Sequence, residues 1–353
     1  MGERARITYY DFSSLLYSSY YLSGFQENTS AFDYEFRVAK SAPADSLAGT
    51  DAAYVLLFEA TLPSGRFAFC IDTRDRGYTT GSAYDTTLLG KVAYYFKVNY
   101  NGDAIAADPE LRPFAGRIVP VLPFFPVRPA GALRYVPRLT PCRTAAWTFT
   151  DALRRMKHLR DTMPLERIRQ LGDGPTELDL FFVINITGKS AHGDDDAYRH
   201  RLAREIQRRR DVIAKVGLVS RGLMPRAYSD LQVRPYALKE YLAQLSRAKV
   251  AIYVRGLHDC LSFKLGQLLA LGKPIVGQRI LNNRDRLMSH ARFDEQFGFE
   301  EPEAIVARAL ELLENAEERA QLAEANRRTF DASFTPRAVV AEVLRHMGVP
   351  ART

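Results

Sequence analysis

Cysteine is scarce. The chain of 353 residues has three, Cys70, Cys142 and Cys260, far apart and with no CxxC pair. That spacing suggests neither a disulfide framework nor a zinc site, and it fits a reducing compartment. No run of about 18 uninterrupted apolar residues occurs, so no transmembrane helix is expected. The opening MGERARITYYDF lacks the apolar stretch of a secretory leader. These absences lead to the expectation of a cytosolic protein, with the inner face of a membrane as one surface it could touch. Histidine is missing from the whole first part of the chain, His158 being the first. Acidic residues are in deficit, 41 against 49 Lys and Arg, for a net charge of +8. That balance favours anionic partners: nucleotides, phosphorylated lipids, a membrane surface or nucleic acid.

What is present is core material. Apolar residues make up 46% of the chain, too much for disorder, and the length suits two domains. In the first half, 5–10, 52–60 and 66–72 read as strands, and 13–25 as a helix capped by Ser13 or Ser14. RIVPVLPFFPVRP (117–129) has too many prolines for a helix or a central strand. A basic helical region at 150–170 precedes the break LGDGPTE, which places a domain boundary at 170/171.

The second half alternates regularly. Strands are expected at 178–185, 217–220, 249–254 and 273–278. Helices are expected at 194–216, 236–248, 262–272, 302–330 (two) and 336–348. This rhythm implies an α/β fold with a parallel sheet covered on both faces. The segment RGLHDCLSFKLGQLLALGKPIVG (255–277) stands out. Ser262 is a suitable N-cap and Gly272 a suitable stop, yet Lys264 lies in the first turn, where the helix dipole disfavours a cation. Ligands of open α/β sheets sit beyond the carboxyl ends of strands, so Lys264 makes sense if a diphosphate shares the helix start. A solvated lysine is the plainer reading.

LGQLLALGKPIV (265–276) resembles the donor-binding helix of GT-B glycosyltransferases, in particular the family-4-like group. The resemblance implies two Rossmann-like domains facing a cleft: an acceptor domain over 1–170, a nucleotide-sugar domain over 171–335, and helix 336–348 packing back on the first. That family's pattern has two glutamates separated by seven residues, one for the donor sugar and one for the ribose. The matching positions are Asp259 and Gln267, both departures from glutamate. The resemblance further implies donor contacts from Lys189, Arg221, Arg226, His258, Ser262 and Lys264. Inverting members use a histidine or carboxylate base from the first domain. With no histidine there, Asp11 and Asp72, each ending a strand-like run, are the candidates, although each could equally be a cap or turn residue. Arg74 and Arg76 would hold an anionic acceptor or a loop salt bridge.

The implied reaction moves a sugar from a nucleotide-diphosphate sugar to a saccharide, glycolipid or small-molecule acceptor, with no other cofactor and no metal. A nucleotide-sugar epimerase and a non-catalytic nucleotide or RNA binder are the alternatives. Nucleic acid is not expected, since the arginine-rich helix (199–210) is more simply a solvated face and the aromatics form no RNA-binding motif. GKS (188–190) lacks the first glycine of a P-loop, that position being Val183. Asp194–Asp196 reads as helix capping rather than as a metal motif. Cys260 reads as a small buried or lining residue.

Overall fold

In the computed structural model, the described residues are 4–39, 53–75, 83–131, 145–188, 193–220 and 222–352. The chain divides into two compact units, Met1–Pro164 with Asp331–Thr353, and Leu165–Phe330. Both are α/β. The 170/171 boundary read from the sequence lies inside a helix of the second unit.

The first unit holds a six-stranded sheet of order β2-β1-β3-β4-β5-β6. Its strands are β1 (Ala5–Tyr10), β2 (Tyr34–Ala39), β3 (Val55–Leu62), β4 (Gly65–Asp72), β5 (Tyr94–Lys97) and β6 (Ile118–Pro120). β3 runs antiparallel to both β1 and β4, so this sheet is mixed. β1, β4 and β5 therefore end on the same edge, and Asp11, Asp72 and Lys97 gather there. The proline-rich stretch supplies β6, where the lost donors are tolerated because the strand lies at the edge. Helix α1 (Leu15–Glu27) is capped by the Ser14 hydroxyl, which accepts from the Leu16 amide. Short helices α2 (Thr86–Leu89) and α3 (Gly102–Ala107) contribute Leu88, Leu89 and Ile105 to a cluster with Tyr10, Leu57, Cys70 and Tyr95. An aromatic group, Tyr9, Phe25, Phe58 and Phe69, fills the space between the sheet and α1. The helix read at 150–170 is two, α4 (Ala145–Asp161) and α5 (Leu165–Gly172), separated at Pro164, which cannot continue a helix.

The last helix, α13 (Pro336–His346), lies against α1. The approach needs a glycine. A Cβ on Gly24 would fall 2.1 Å from the Pro336 carbonyl oxygen and 2.5 Å from Val340 Cγ2, and Asn28 Nδ2 donates to the Arg337 carbonyl at 2.8 Å. Gly24→Ala must push α13 off, and a loss of about 2–4 kcal/mol is expected. A denaturant midpoint equal to that of the parent would refute this.

The second unit holds a four-stranded parallel sheet of order β10-β9-β7-β8. Its strands are β7 (Leu178–Ile186), β8 (Ala214–Ser220), β9 (Ala248–Tyr253) and β10 (Ile275–Gly277). Leu180, Phe182, Ile184 and Ile186 of β7 pack on Leu202, Ala203 and Ile206 of α6 (Gly193–Gln207), and α11 (Pro302–Glu314) covers the same face with Ile305, Val306 and Ala309. The other face of β7 meets α7 (Leu238–Ser246), where Phe181 and Tyr241 stack edge to face. α5 packs on α7 and on α8 (Lys264–Ala270). α8 is shorter than the sequence implies. Phe263 is its N-cap residue, and the Ser262 hydroxyl accepts from the Lys264 amide at 3.4 Å. Gly272, in the left-handed conformation, follows its end. Among the described residues, no helix is long and apolar enough to cross a membrane.

Candidate active site

The strand order reverses between β7 and β9, because β8 lies on one side of β7 while β9 and β10 lie on the other. In such a sheet the ligand crevice lies outside the carboxyl ends at that switch point. β7 pairs with β9 from Leu178↔Ala248 to Phe181↔Ala251. Two residues further on, the Val183 carbonyl accepts a hydrogen bond from Lys264 Nζ at 3.1 Å.

Lys264 is therefore directed inward. Its ammonium also lies 5.2 Å from the centre of the Tyr241 ring, a cation–π contact. Burial, with the Arg199 guanidinium nearby as the lesser cause, lowers its pKa to about 7. Among the described residues no carboxylate is within ion-pair distance. The sequence reading had this side chain facing a diphosphate directly. Instead it is set below the rim, with a carbonyl and a ring as its company. Gln267, one turn on, is fully buried, and neither amide atom has a hydrogen-bond partner.

The loop after β9 forms one wall. Leu257–Asp259 make a tight turn in which two successive non-glycine residues, His258 (φ 56°) and Asp259 (φ 59°), are left-handed. Each such residue costs of order 1–3 kcal/mol and persists only where its surroundings enforce it. Arg255 is the enforcing group. Its Nε pairs with Asp259 Oδ1 at 3.1 Å and its Nη2 with Glu300 Oε2 at 3.0 Å. Its amide donates to Gln278 Oε1 at 3.0 Å. Gly256 lets the turn close, since a Cβ there would lie 2.2 Å from Cys260 Sγ. Cys260 is buried within this turn.

The loop after β7 forms the other wall. Asp196 accepts from the Thr187 amide, the Thr187 hydroxyl (2.9 Å) and the Gly188 amide (2.9 Å). Those bonds occupy its carboxylate and tie α6 to the loop after β7, not to the amides of its own helix start. Among the described residues no group of His, Cys, Asp and Glu is placed to hold a metal ion. Pro225 lies against Gly188, which brings the segment beginning at Arg226 to this rim, with the Arg226 side chain exposed. Lys189 and Arg221 lie outside the described residues. Arg199 corrects the picture of a solvated arginine face. It is 6% exposed, and its Nη1 and Nη2 donate to the carbonyls of Asn185 (3.1 Å) and Arg255 (3.3 Å).

Neither base candidate is in this unit. Asp72, fully buried, receives Arg74 Nε and Nη2 and Lys97 Nζ, each at 3.0 Å, and the Tyr95 hydroxyl. Burial alone would raise its pKa, but Lys97, Arg74 and Tyr95 outweigh that and hold it at about 2. A carboxylate so occupied is a poor proton acceptor at neutral pH, and Asp72 is removed from the base candidates. Asp11 differs. Its Oδ2 pairs with Arg155 Nη1 at 2.7 Å, while its buried Oδ1 accepts no hydrogen bond among the described residues. The two are separated in the sheet by β3. Sequence reasoning missed Arg199, Arg255, Glu300 and the Asp72 network. The long-range members carry no local spacing signal.

Residues 185–345 match the family model described as glycosyl transferase-like. No curated protein matches the sequence significantly. Among solved structures, T4 phage BGT in complex with its UDP-glucose substrate is similar at 8% identity and a TM-score of 0.34, over 74% of this chain and 75% of that one. A mutant of T4 phage BGT with UDP-glucose gives 11% identity and a TM-score of 0.35, over 78% and 87%. From the end of β7 into α13, a little under half of its length, the chain is thus similar to the glycosyl transferase-like family.

Proposed function

We propose that the second unit binds a nucleotide-diphosphate sugar at the β7/β9 switch point and that the chain transfers the sugar to a hydroxyl of a saccharide, lipid or small-molecule acceptor held by the first unit. The observation that carries this reading is Lys264, half-buried beneath the carboxyl edge with, among the described residues, no carboxylate within ion-pair distance. Buried charges are ordinarily paired, and a diphosphate at the rim would supply the missing negative charge. Arg199 adds to the same potential.

In the reaction the acceptor oxygen bonds to the anomeric carbon, the bond from that carbon to the diphosphate breaks, and the acceptor proton leaves to a base. Charge developing on the departing diphosphate is met by the field of Lys264 and Arg199. Asp259, fixed by Arg255, and His258 are the groups presented to the sugar. Gln267 would need a polar partner, which a ribose hydroxyl or a water could provide. Asp11, with an oxygen to spare, is the base if the reaction inverts. Asp11→Asn is then expected to lower kcat by roughly 10²–10⁴ while leaving donor affinity unchanged; an unaltered kcat in a folded variant would discard that role.

The test of the reading is incubation with a panel of nucleotide sugars and acceptors. Glycosylated acceptor and equimolar nucleoside diphosphate are expected. Sugar interconversion without release would replace this reading with an epimerase, and salt-sensitive RNA affinity without turnover would replace it with a nucleic-acid binder.

A further inference from the structure

We propose that Asp196 and Arg199, one turn apart on α6, are a positioning pair that sets both walls of the crevice from a single rigid element. This rests on the reading of the crevice as a nucleotide site.

Asp196 holds the loop after β7 through three hydrogen bonds. Arg199 reaches past it. One guanidinium nitrogen takes the Asn185 carbonyl on β7 and another takes the Arg255 carbonyl at the entrance to the left-handed turn. These carbonyls belong to the two strand ends that flank the switch point. A planar fork with fixed angles spans two acceptors as a single ammonium cannot. The pair is itself coupled, with Arg199 Nη1 3.7 Å from Asp196 Oδ1. Both side chains are buried, Asp196 at 1% and Arg199 at 6% exposure. A solvated helix needs neither group at such positions, and charged residues this deep are rare unless paired or employed.

The consequence is geometric. Arg199 fixes the Arg255 backbone, and the Arg255 side chain fixes Asp259 and, through Glu300, the segment leading into α11. Residues 255–259 would otherwise be free to relax from two unfavourable backbone conformations. α6 thus prepares the loop before ligand arrives, which lowers the ordering cost on binding.

Arg199→Met, Arg199→Lys and Asp196→Asn variants test this with two readouts. Hydrogen–deuterium exchange of the unligated protein reports residues 185–188 and 254–262. Calorimetry with UDP, GDP, ADP and dTDP reports affinity. In Arg199→Met, exchange in both segments is expected to rise at least tenfold, with exchange in β3 and β4 unchanged. Affinity for the tightest nucleotide is expected to fall at least tenfold. Arg199→Lys, able to reach one carbonyl, is expected to rescue part of each effect. Asp196→Asn is expected to loosen 185–188 more than 254–262. Should Arg199→Met not fold, Arg199→Lys decides the matter. Unchanged exchange in both segments overturns the positioning role. Faster exchange with parental affinity overturns its link to binding. A parent protein that binds none of the four nucleotides overturns the nucleotide reading itself, while the exchange data still judge the clamp.

Discussion

Replacing Asp72 by asparagine is expected to destabilise the first unit by about 3–5 kcal/mol. The carboxylate is the meeting point of Arg74, Lys97 and Tyr95, and both cations are buried with it. Asparagine keeps the shape and removes the charge. Lys97, wholly inside, is then left with the Arg74 carbonyl at 2.8 Å as its remaining strong acceptor. Arg74 retains Asp85 at 3.5 Å, a looser pair. A buried cation stripped of its partner is among the more costly single changes a fold can suffer. The same carboxylate gives an acid dependence. Its folded pKa, about 2, lies below the ordinary 3.8. The stabilisation is complete above about pH 4 and is lost as pH falls towards 2. The loss amounts to about 2 kcal/mol for a shift of that size. Urea titrations between pH 2 and 5 should show that slope in the parent and its absence in Asp72→Asn. A variant within about 1 kcal/mol of the parent would mean the network is dispensable.

Lys264→Met is expected to have the opposite effect on stability and an adverse effect on binding. The folded pKa, about 7, is far below the ordinary 10.5, so the protonated form is disfavoured by burial. Between those two values the unfolded chain holds more protons. Parental stability should therefore rise as pH climbs from about 7 to 10. Methionine has nearly the same length and no charge. It should raise stability near pH 7 by about 2–3 kcal/mol, discounted from the full shift because the side chain keeps some contact with solvent and the Val183 carbonyl loses a donor. It should also flatten the pH dependence. The missing charge should weaken nucleoside diphosphate binding by about 1–2 kcal/mol, as expected for a unit charge some 8–15 Å away at an effective dielectric near 20. Parental affinity should fall as pH passes upward through about 7, and the variant's should not. A variant both less stable and equally tight would make Lys264 an ordinary structural residue.

Much of the second unit is legible along the chain. Its strands are continuous apolar runs and its helices carry a buried stripe. Those are the patterns a covered parallel sheet imposes. The loop at 255–262 is legible too, because HDC interrupts two apolar segments and GKPIV follows a helix stop. What is hidden depends on approach between distant positions. Lys264 sits where a dipole argument invites a phosphate, but its direction is decided by a vacant carbonyl on β7 and the Tyr241 ring, far away in sequence. Arg199 is one of six arginines in 199–210 and differs from the others in helical phase, being one turn after Asp196. Asp72 reads as a free strand-end carboxylate until Lys97, on the adjacent strand, is found against it. The glycine that admits α13 is likewise silent, since Gly24 inside a helix gives no hint of Pro336. In the first unit β5 escapes notice because it is only four residues long, YYFK, with no alternation to mark it.

The most direct measurement is the structure of the protein with a nucleoside diphosphate bound. The diphosphate is expected at the carboxyl edge between β7 and β9, within reach of the Thr187–Gly188 backbone and the 255–262 loop, and above the half-buried ammonium of Lys264. A diphosphate bound elsewhere on the molecule, with that edge unoccupied at saturating ligand, would contradict the assignment.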